Sequence, residues 1–468
     1  MSADTAIVEP EGSARRDGAT ERLAAPTIAY VVVTCVLFAI AWGFTVDDAF
    51  LVARYARRAS EGLGWTFRDG PATDGITGPA WIVPGVVGTW IGVGAPLAQK
   101  VVGAATLLGA GCFALRRSRA PWLTAAVLAF QASAVAWGVA GLETGAATFA
   151  ATVALLGRPG WTRGAALASL PWFRPEAAVL VLAVLVASRA SRREWGLVLA
   201  SGVAAIAFRA VLFGGVLPLA FFAKSGSLAE GGPYVLVGVT LTTGLGGAWL
   251  AWRSEARAVV VPVALFAVTV AVAGGDWMPG WRLLVPVLPA YAWAVGEGFA
   301  RGGGKPARVA AIAACGVPVL MLVSQIGPWR AAGELDAPRR ALAERLASVE
   351  SVALVDVGAL VWASDVDVLD LGGLTDPVVA RWEGGHLEKR IDVAYLAARD
   401  PEVILLHTEQ EPEIDDVGRL VRLAGFPVER SVAAHPWTRM HYEATEVLAL
   451  REGYAYVWLR RRALPLAE

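Results

Sequence analysis

Between Ala25 and about Gln325 the chain is a succession of apolar runs separated by short polar linkers. The runs lie near 25–46, 97–115, 120–137, 145–157, 161–173, 176–190, 194–213, 234–252, 258–273, 283–300 and 307–326. Each is long enough to cross a bilayer as a helix, given tilt or local thinning for the shorter ones. The pattern predicts eleven crossings. A twelfth segment, "PAWIVPGVVGTWIGVGA" at 79–95, is short and broken by Pro84 and four glycines. It reads as an interfacial or re-entrant piece. After Ile326 the composition turns polar. "ELDAPRRALAERLASVE" (334–350) has the period of an amphipathic helix. "VALVDV", "VDVLDL" and "EVILLH" are short strand-like runs, with helical stretches between them. This alternation predicts a small α/β domain with a parallel sheet.

Composition agrees with a polytopic membrane protein. Of the 468 residues 56% are hydrophobic, and the mean hydropathy is +0.53. Soluble domains rarely reach this. Formal net charge is zero, so nucleic acid is no expected partner. There are 19 tryptophans, and Trp42, Trp122, Trp137, Trp195 and Trp252 flank apolar runs, as an interfacial belt requires. Cys35, Cys112 and Cys315 lie inside apolar runs and read as small core hydrophobes. Residues 1–24 read as a disordered cytoplasmic tail. The first run is too long for a removed signal peptide and reads as a retained span.

The basic linkers orient the chain. With 79–95 kept out of the count and the N-terminus inside, five linkers fall on one side: "RRSR" at 116–119, "RPGWTR" at 158–163, "RASRR" at 189–193, "RSEAR" at 253–257 and "RGGGKPAR" at 301–308. They carry 13 Lys and Arg, which the positive-inside rule places in the cytoplasm. If 79–95 crossed, all five would face outward. The C-terminal segment, 327–468, is then extracytoplasmic.

With that topology the polar oddities gather on the outer side. The first outer loop carries Asp47, Asp48, Arg54, Arg57, Arg58, Asp69 and Asp74. "GLETG" carries Glu143, "WFRPEA" carries Arg174 and Glu176, "LPLAFFAKSG" carries Lys224, and "GGDWMPGWR" carries Asp276 and Arg282. Each alone has an ordinary reading. Glu143 fits a solvated loop, Arg174 and Glu176 a structural ion pair, and Lys224 a snorkelling side chain. Their joint occurrence in every short outer loop points to a site. A carboxylate just past a span sits at the membrane–water boundary, where it can take a proton from a hydroxyl or steady a cationic centre. Asp47 and Asp48 also suit a helix N-terminus. Neighbouring helical residues point about 100° apart, so the two cannot face one atom: one does chemistry, and the other holds the loop or binds hydroxyls. The segment after them is amphipathic and fits an interfacial helix. Its arginines, with Lys224, Arg174 and Arg282, suit a phosphate.

The stretch "DDAFLVARYARRASEGLGWTFRDGPATDGITGPAW" (47–81) resembles the first outer loop of a branch of the GT-C glycosyltransferases, polytopic enzymes that take sugars from polyprenyl-phosphate donors. Within them it is similar to the actinobacterial cell-wall arabinofuranosyltransferases that add terminal β-(1→2) residues. Further matches are "GLET" at 141–144, "RPE" at 174–176, "FGGVLPLAFFAK" at 213–224, "GGDWMPGWRLLVPVLP" at 274–289 and "LDLGGLTDP" at 369–377. The resemblance spans about residues 26–410. It implies a GT-C fold over 25–326 with a catalytic outer loop at 47–96, and an extracytoplasmic α/β domain over 327–468. It implies Asp47 or Asp48 as the catalytic carboxylate, and Lys224, Arg174, Arg282 and Arg54 as ligands of the donor phosphate. Glu143, Glu176, Asp276, Trp277 and Trp81 would meet substrate.

Four positions depart from the family pattern. Gly78 stands where Asn or Ser is usual. In "LPLAFFAK" the apolar Leu219, Ala220 and Phe222 replace polar positions, while Lys224 remains. The expected partners are a polyprenyl-phosphate sugar, a glycan or glycoconjugate acceptor, and the lipid bilayer of the cytoplasmic membrane. No metal-ligand spacing occurs; a divalent ion on Asp47 or Asp48 stays open, because hard cations need only oxygen ligands. His386, His407, His435 and His441 all lie in the tail, and the cluster His407, His435 and His441, which has no ligand-type spacing, reads as structural. Thr375 and Asp376 in "GGLTDP" read as a helix cap, or as residues presented to the site. Two rival functions are weighed: a lipid or sugar transporter or flippase, which would place charges near the midplane, and a non-catalytic glycan-binding scaffold.

Overall fold

The computed structural model describes residues 12–224 and 226–462, with side-chain environments from residue 23 onward. Helices α1 (Gly12–Ala41), α2 (Asp47–Ser60), α3 (Ile82–Trp90), α4 (Ala95–Leu115), α5 (Pro121–Ala129), α6 (Ala132–Val139), α7 (Thr144–Leu156), α8 (Trp161–Phe173), α9 (Ala178–Ala187), α10 (Arg192–Phe213), α11 (Leu219–Ala223), α12 (Leu228–Arg253), α13 (Arg257–Val272), α14 (Leu288–Ala300), α15 (Lys305–Glu334) and α16 (Asp336–Leu346) follow in order. Of the tail expected to be disordered over 1–24, residues 1–11 lie outside the described residues. From Gly12 the chain is already helical and runs on into the first span.

All eleven apolar runs are helical over most of their length. Among the described residues six helical segments are long and apolar enough to cross a membrane, and a seventh arises if the pair α5–α6, bent by 62°, counts as one span. The shorter apolar helices include α7 and α13. A 13-residue helix rises only about 20 Å against a hydrocarbon core of about 30 Å, so eleven full crossings are not required by length. α7 shows why short runs suffice. Ala147, Ala151 and Ala154 are fully buried, packed between neighbouring helices, so this helix does not have to match the lipid. α10 is the opposite case. Its Val203 and Val211 are 68% and 88% exposed, which in an apolar solvent costs nothing. The segment 79–95 forms a 3-10 turn, Pro79–Trp81, followed by α3, whose nine residues rise about 14 Å.

Breaks in the helices are satisfied locally. α12 contains Gly244 at φ +62, which interrupts its hydrogen-bond ladder. Nearby, the carbonyl of Thr242 accepts an N–H from the buried Gln131 side chain at 2.7 Å, from the bend between α5 and α6. Buried polar groups at a helix break need such partners.

The two ends of the helical core differ chemically. At one end the five basic linkers meet. The Arg117 Nε donates to the Leu156 carbonyl, Arg119 N–H to Glu297, and Trp293 Nε1 to the Arg117 carbonyl. Arg163 pairs with the buried Glu194 at 2.7 Å, and Arg301 with Glu255. The acid- and base-bearing turns of the remaining loops lie at the other end. One expectation about tryptophan fails there. Trp137 is fully buried and packs edge-on against Phe44 at 5.8 Å, because it stands at the inner bend of α6 rather than at a lipid boundary.

That second end is capped by a mixed sheet. β1 (Ser351–Leu354) pairs in parallel with β2 (Asp367–Asp370) and β3 (Val403–Thr408). A small separate ladder joins β4 (Glu413–Ile414) and β5 (Leu420–Arg422). The hairpin β6 (Tyr442–Arg451) and β7 (Tyr454–Arg461) adds two antiparallel strands, giving the order β2-β1-β3-β7-β6. The sheet is therefore only partly parallel. β3 is buried along its whole length, as a central strand covered on both faces must be.

Helix α2 is expected to lie flat at the lipid interface, and it does not. It is sandwiched between the helical core and the sheet domain, with Leu51, Val52, Tyr55 and Arg54 buried. Arg54 is 0% exposed. Its guanidinium donates to the carbonyls of Phe67 (2.7 Å), Val361 (2.5 Å) and Val366 (2.8 Å). Arg57 reaches Asp365 at 2.7 Å. One apolar core runs through from Leu37 and Trp137 to Val352 and Val403.

Removing the Arg54 head group leaves three carbonyls without donors, a cost of about 3 kcal/mol or more. Arg54→Met should lower the unfolding temperature in detergent by several degrees and expose the 327–350 segment to limited proteolysis; unchanged cleavage would show that α2 is not tied there. A second expectation concerns pH. Burial pushes Glu429 up to about 8; its carboxylate accepts the N–H of His407 at 2.7 Å and of Phe426 at 2.9 Å. The folded chain keeps a proton that the unfolded chain releases above its ordinary 4.5. Stability from this group is therefore full at low pH and lost as pH rises towards 8. Glu429→Gln should flatten that slope in chemical unfolding measured at pH 5 and pH 8.

Candidate active site at the domain junction

The site begins with a tightly held turn between α1 and α2. Lys100, on α4, donates to Thr45 Oγ1 at 2.7 Å, to the Phe44 carbonyl at 3.4 Å, and to the carbonyl of Trp42. This fixes the turn that delivers Asp47 and Asp48 as the first two residues of α2. The two carboxylates diverge. Asp47 accepts the N–H groups of Gly358 and Ala359, each at 2.8 Å, from the sheet domain. A Cβ at position 358 would sit 2.5 Å from the Asp47 Cγ, so only glycine admits this contact. Burial, then the nearby Asp356, pushes Asp47 up to about 7. Asp48 is half-buried, and among the described residues its side chain takes no hydrogen bond. Its charge, with that of Glu143, acts on the Arg282 guanidinium.

Around Asp48 the turns at this end of the helical core form two ion-paired groups. Arg174 is held by Glu143 at 3.0 Å and Glu176 at 2.9 Å, and its second terminal nitrogen lies 3.4 Å from Thr144 Oγ1. Arg282 lies 2.7 Å from Asp276, although the N–H is not aimed along a hydrogen bond. The same guanidinium lies over the Trp137 ring at 5.2 Å, a cation–π contact. Trp281, directly before it, is left-handed at φ +50. A bulky residue there is strained, and such strain gathers at functional sites.

Beside these pairs opens a cleft of about 710 Å³, bounded by Lys224, Tyr234, the 273–277 turn and residues 385–388 of the sheet domain. Asp276 lines it, so the charges run from Asp48 through Arg282 to its wall. Trp277 stands at the rim, 62% exposed. Among the described residues no carboxylate pairs with Lys224. Ahead of it, Phe222 carries the Arg381 guanidinium over its ring at 5.0 Å. The apolar "LPLAFFAK" segment thus docks on the sheet domain.

The remaining expected residues lie elsewhere. Arg54 is 0% exposed, and each of its three nitrogens donates to a backbone carbonyl, so it is sealed away from a phosphate in the cleft. Trp81 is buried and donates to the Gly141 carbonyl at 2.8 Å; it props the turn that carries Glu143. Asp376 caps its own turn by accepting from Val378 (2.9 Å) and Val379 (3.1 Å), and its second oxygen accepts from Tyr395. The Thr375 hydroxyl donates inward to Asp370 at 3.0 Å. His386, given no role from sequence, stands in the cleft wall. Nothing in its local sequence distinguishes it from the other three histidines.

Residues 329–460 match a family described as "Domain of unknown function (DUF8728)". No curated protein sequence matches the chain. Two solved structures are similar to it over 92% of this chain and 97% of theirs, with a TM-score of 0.58: ArnT from Cupriavidus metallidurans bound to undecaprenyl phosphate, at 12% identity, and the apo state of the same protein, at 14%. The chain therefore has the GT-C membrane fold of ArnT together with the sheet-containing C-terminal domain.

The contrasting environments of the two aspartates separate stability from chemistry. Asp47→Asn loses one acceptor for two buried amides and should lower the unfolding temperature. Asp48→Asn should leave that temperature within about 2 °C of wild type, since surface changes rarely exceed about 0.5 kcal/mol. Equal thermal losses in both variants would contradict this division.

Proposed function

We propose that this chain is a membrane glycosyltransferase that takes a sugar from a polyprenyl-phosphate donor and transfers it to a cell-envelope glycan, glycolipid or protein at the outer face of the cytoplasmic membrane. The observation that carries the reading is the juxtaposition at one end of an ArnT-like fold. Among the described residues Asp48 is a carboxylate without a hydrogen-bond partner, and it stands beside an ion-paired rim that leads to a cleft containing a cation without a carboxylate partner, Lys224. ArnT itself was crystallised with undecaprenyl phosphate, a ligand of the class proposed here.

The division of labour follows from charge. A departing lipid phosphate is an anion and needs an uncompensated cation. Arg174 already faces two carboxylates and Arg282 one, so Lys224 is assigned the phosphate. Asp48 acts as general base: it takes the proton of the acceptor hydroxyl as that oxygen bonds to the anomeric carbon. The carbon–oxygen bond to phosphate breaks, and its electron pair leaves with the lipid phosphate. One carboxylate used in this way suits inversion of configuration. Glu143, Glu176 and Asp276 are assigned to orienting Arg174 and Arg282, and Trp277 to stacking on the sugar. The resemblance of the 47–81 loop supports a pentofuranose donor, arabinofuranose first.

Purified protein with labelled polyprenyl-phosphate arabinose should yield a glycosylated acceptor. Asp48→Asn should lower turnover by at least about 100-fold, the lower end of what a general base contributes, with donor affinity retained. Flux across sealed vesicles without covalent product would point instead to a transporter. Donor binding without turnover, in wild type and Asp48→Asn alike, would point to a scaffold.

A further inference from the structure

The cleft wall contributed by the C-terminal domain carries a titratable ring, His386. Its Nδ1 lies 2.9 Å from the carbonyl oxygen of Gly372. A carbonyl only accepts, so Nδ1 carries the proton. That leaves Nε2, which has no partner among the described residues and is not sealed from solvent. Nε2 is a lone pair in the neutral ring and an N–H donor in the protonated one.

The ring is held by packing as well as by that bond. A Cβ at position 372 would lie 2.5 Å from Nδ1, so the Nδ1–Cε1 edge rests on glycine backbone. The Gly372 turn is clamped in its turn by the buried Asp370. That carboxylate accepts the N–H groups of Gly372 (2.8 Å), Gly373 (3.0 Å) and Thr375 (2.7 Å). The "LDLGGLTDP" motif is thereby explained as a device that presents an imidazole. The charged groups around the ring are Asp370 behind it, with Lys224, Glu230, Asp276 and Glu388 lining the cleft.

We propose that His386 is a second ligand of the donor's phosphate group, supplied by the C-terminal domain across the cleft from Lys224. The lipid phosphate then bridges the helical core and the domain through an ammonium and an imidazolium N–H. This rests on the proposed function and gives the domain of unknown function a task in it. A phosphate held from both sides is oriented as well as neutralised, which one flexible lysine cannot achieve.

The test is binding of undecaprenyl phosphate, without sugar, to the full chain in nanodiscs at pH 6 and pH 8. His386→Asn keeps an amide N–H for the Gly372 carbonyl and removes Nε2. It should bind about tenfold more weakly than wild type at pH 6, the loss of one charged hydrogen bond. His386→Lys keeps a cation at this position at both pH values and should restore the binding that His386→Asn loses. Affinities for both variants that track wild type at each pH overturn the proposal while leaving the glycosyltransferase reading intact. Wild-type protein that does not bind the lipid phosphate overturns both.

Discussion

Everything at the site depends on helix α2 being held between two bodies. Asp47 and Arg54 lie about two turns apart on it, and both bind backbone groups of the sheet domain rather than side chains. The carboxylate takes two amides and the guanidinium takes two of its three carbonyls there. Backbone groups cannot rotate away as side chains do, so these bonds fix both the position of α2 and its rotation about its axis. That rotation decides which of two adjacent aspartates is left with its carboxylate unbonded.

A second constraint comes from the solvent. In lipid an exposed valine costs nothing, whereas an unpaired charge or broken backbone bond costs several kcal/mol. The helical core accordingly leaves α10 exposed and places its ionisable groups at the two ends. Even there the charges are compensated. Arg174 has two carboxylates, Arg282 has one plus the face of Trp137, and Arg209 pairs with Asp74. Against this background of pairing, Lys224 and Asp48 stand out.

The sheet domain is more than a lid. It reaches α2 through Gly358 and Ala359, α11 through Arg381, and the cleft through residues 385–388. Its hairpin β6–β7 extends the parallel strands and seats Tyr454 and Tyr456 against Asp356, close to Asp47. Buried polar bonds thus join the domain to the membrane core next to the cleft that both bound.

How much of this was legible in the chain differs by interaction range. Apolar runs dictate helices because backbone groups in lipid must bond within their own segment. The basic linkers sort the loops to two ends because charge stays out of hydrocarbon. The angle between adjacent helical residues separates the roles of Asp47 and Asp48. What the chain could not announce is which aspartate does which. Asp47 is bound by amides 311 and 312 residues away, and an amide N–H has no side-chain signature. Arg54 and Arg174 look alike in sequence, yet one is consumed by carbonyls and the other by carboxylates. His386 resembles three other histidines until the turn at Gly372 faces it into the cleft. Local pattern is enough for the helices and strands and for the gathering of charges at the ends of the core. Which charges are left over depends on partners brought together from far apart in the chain, so it follows from packing alone.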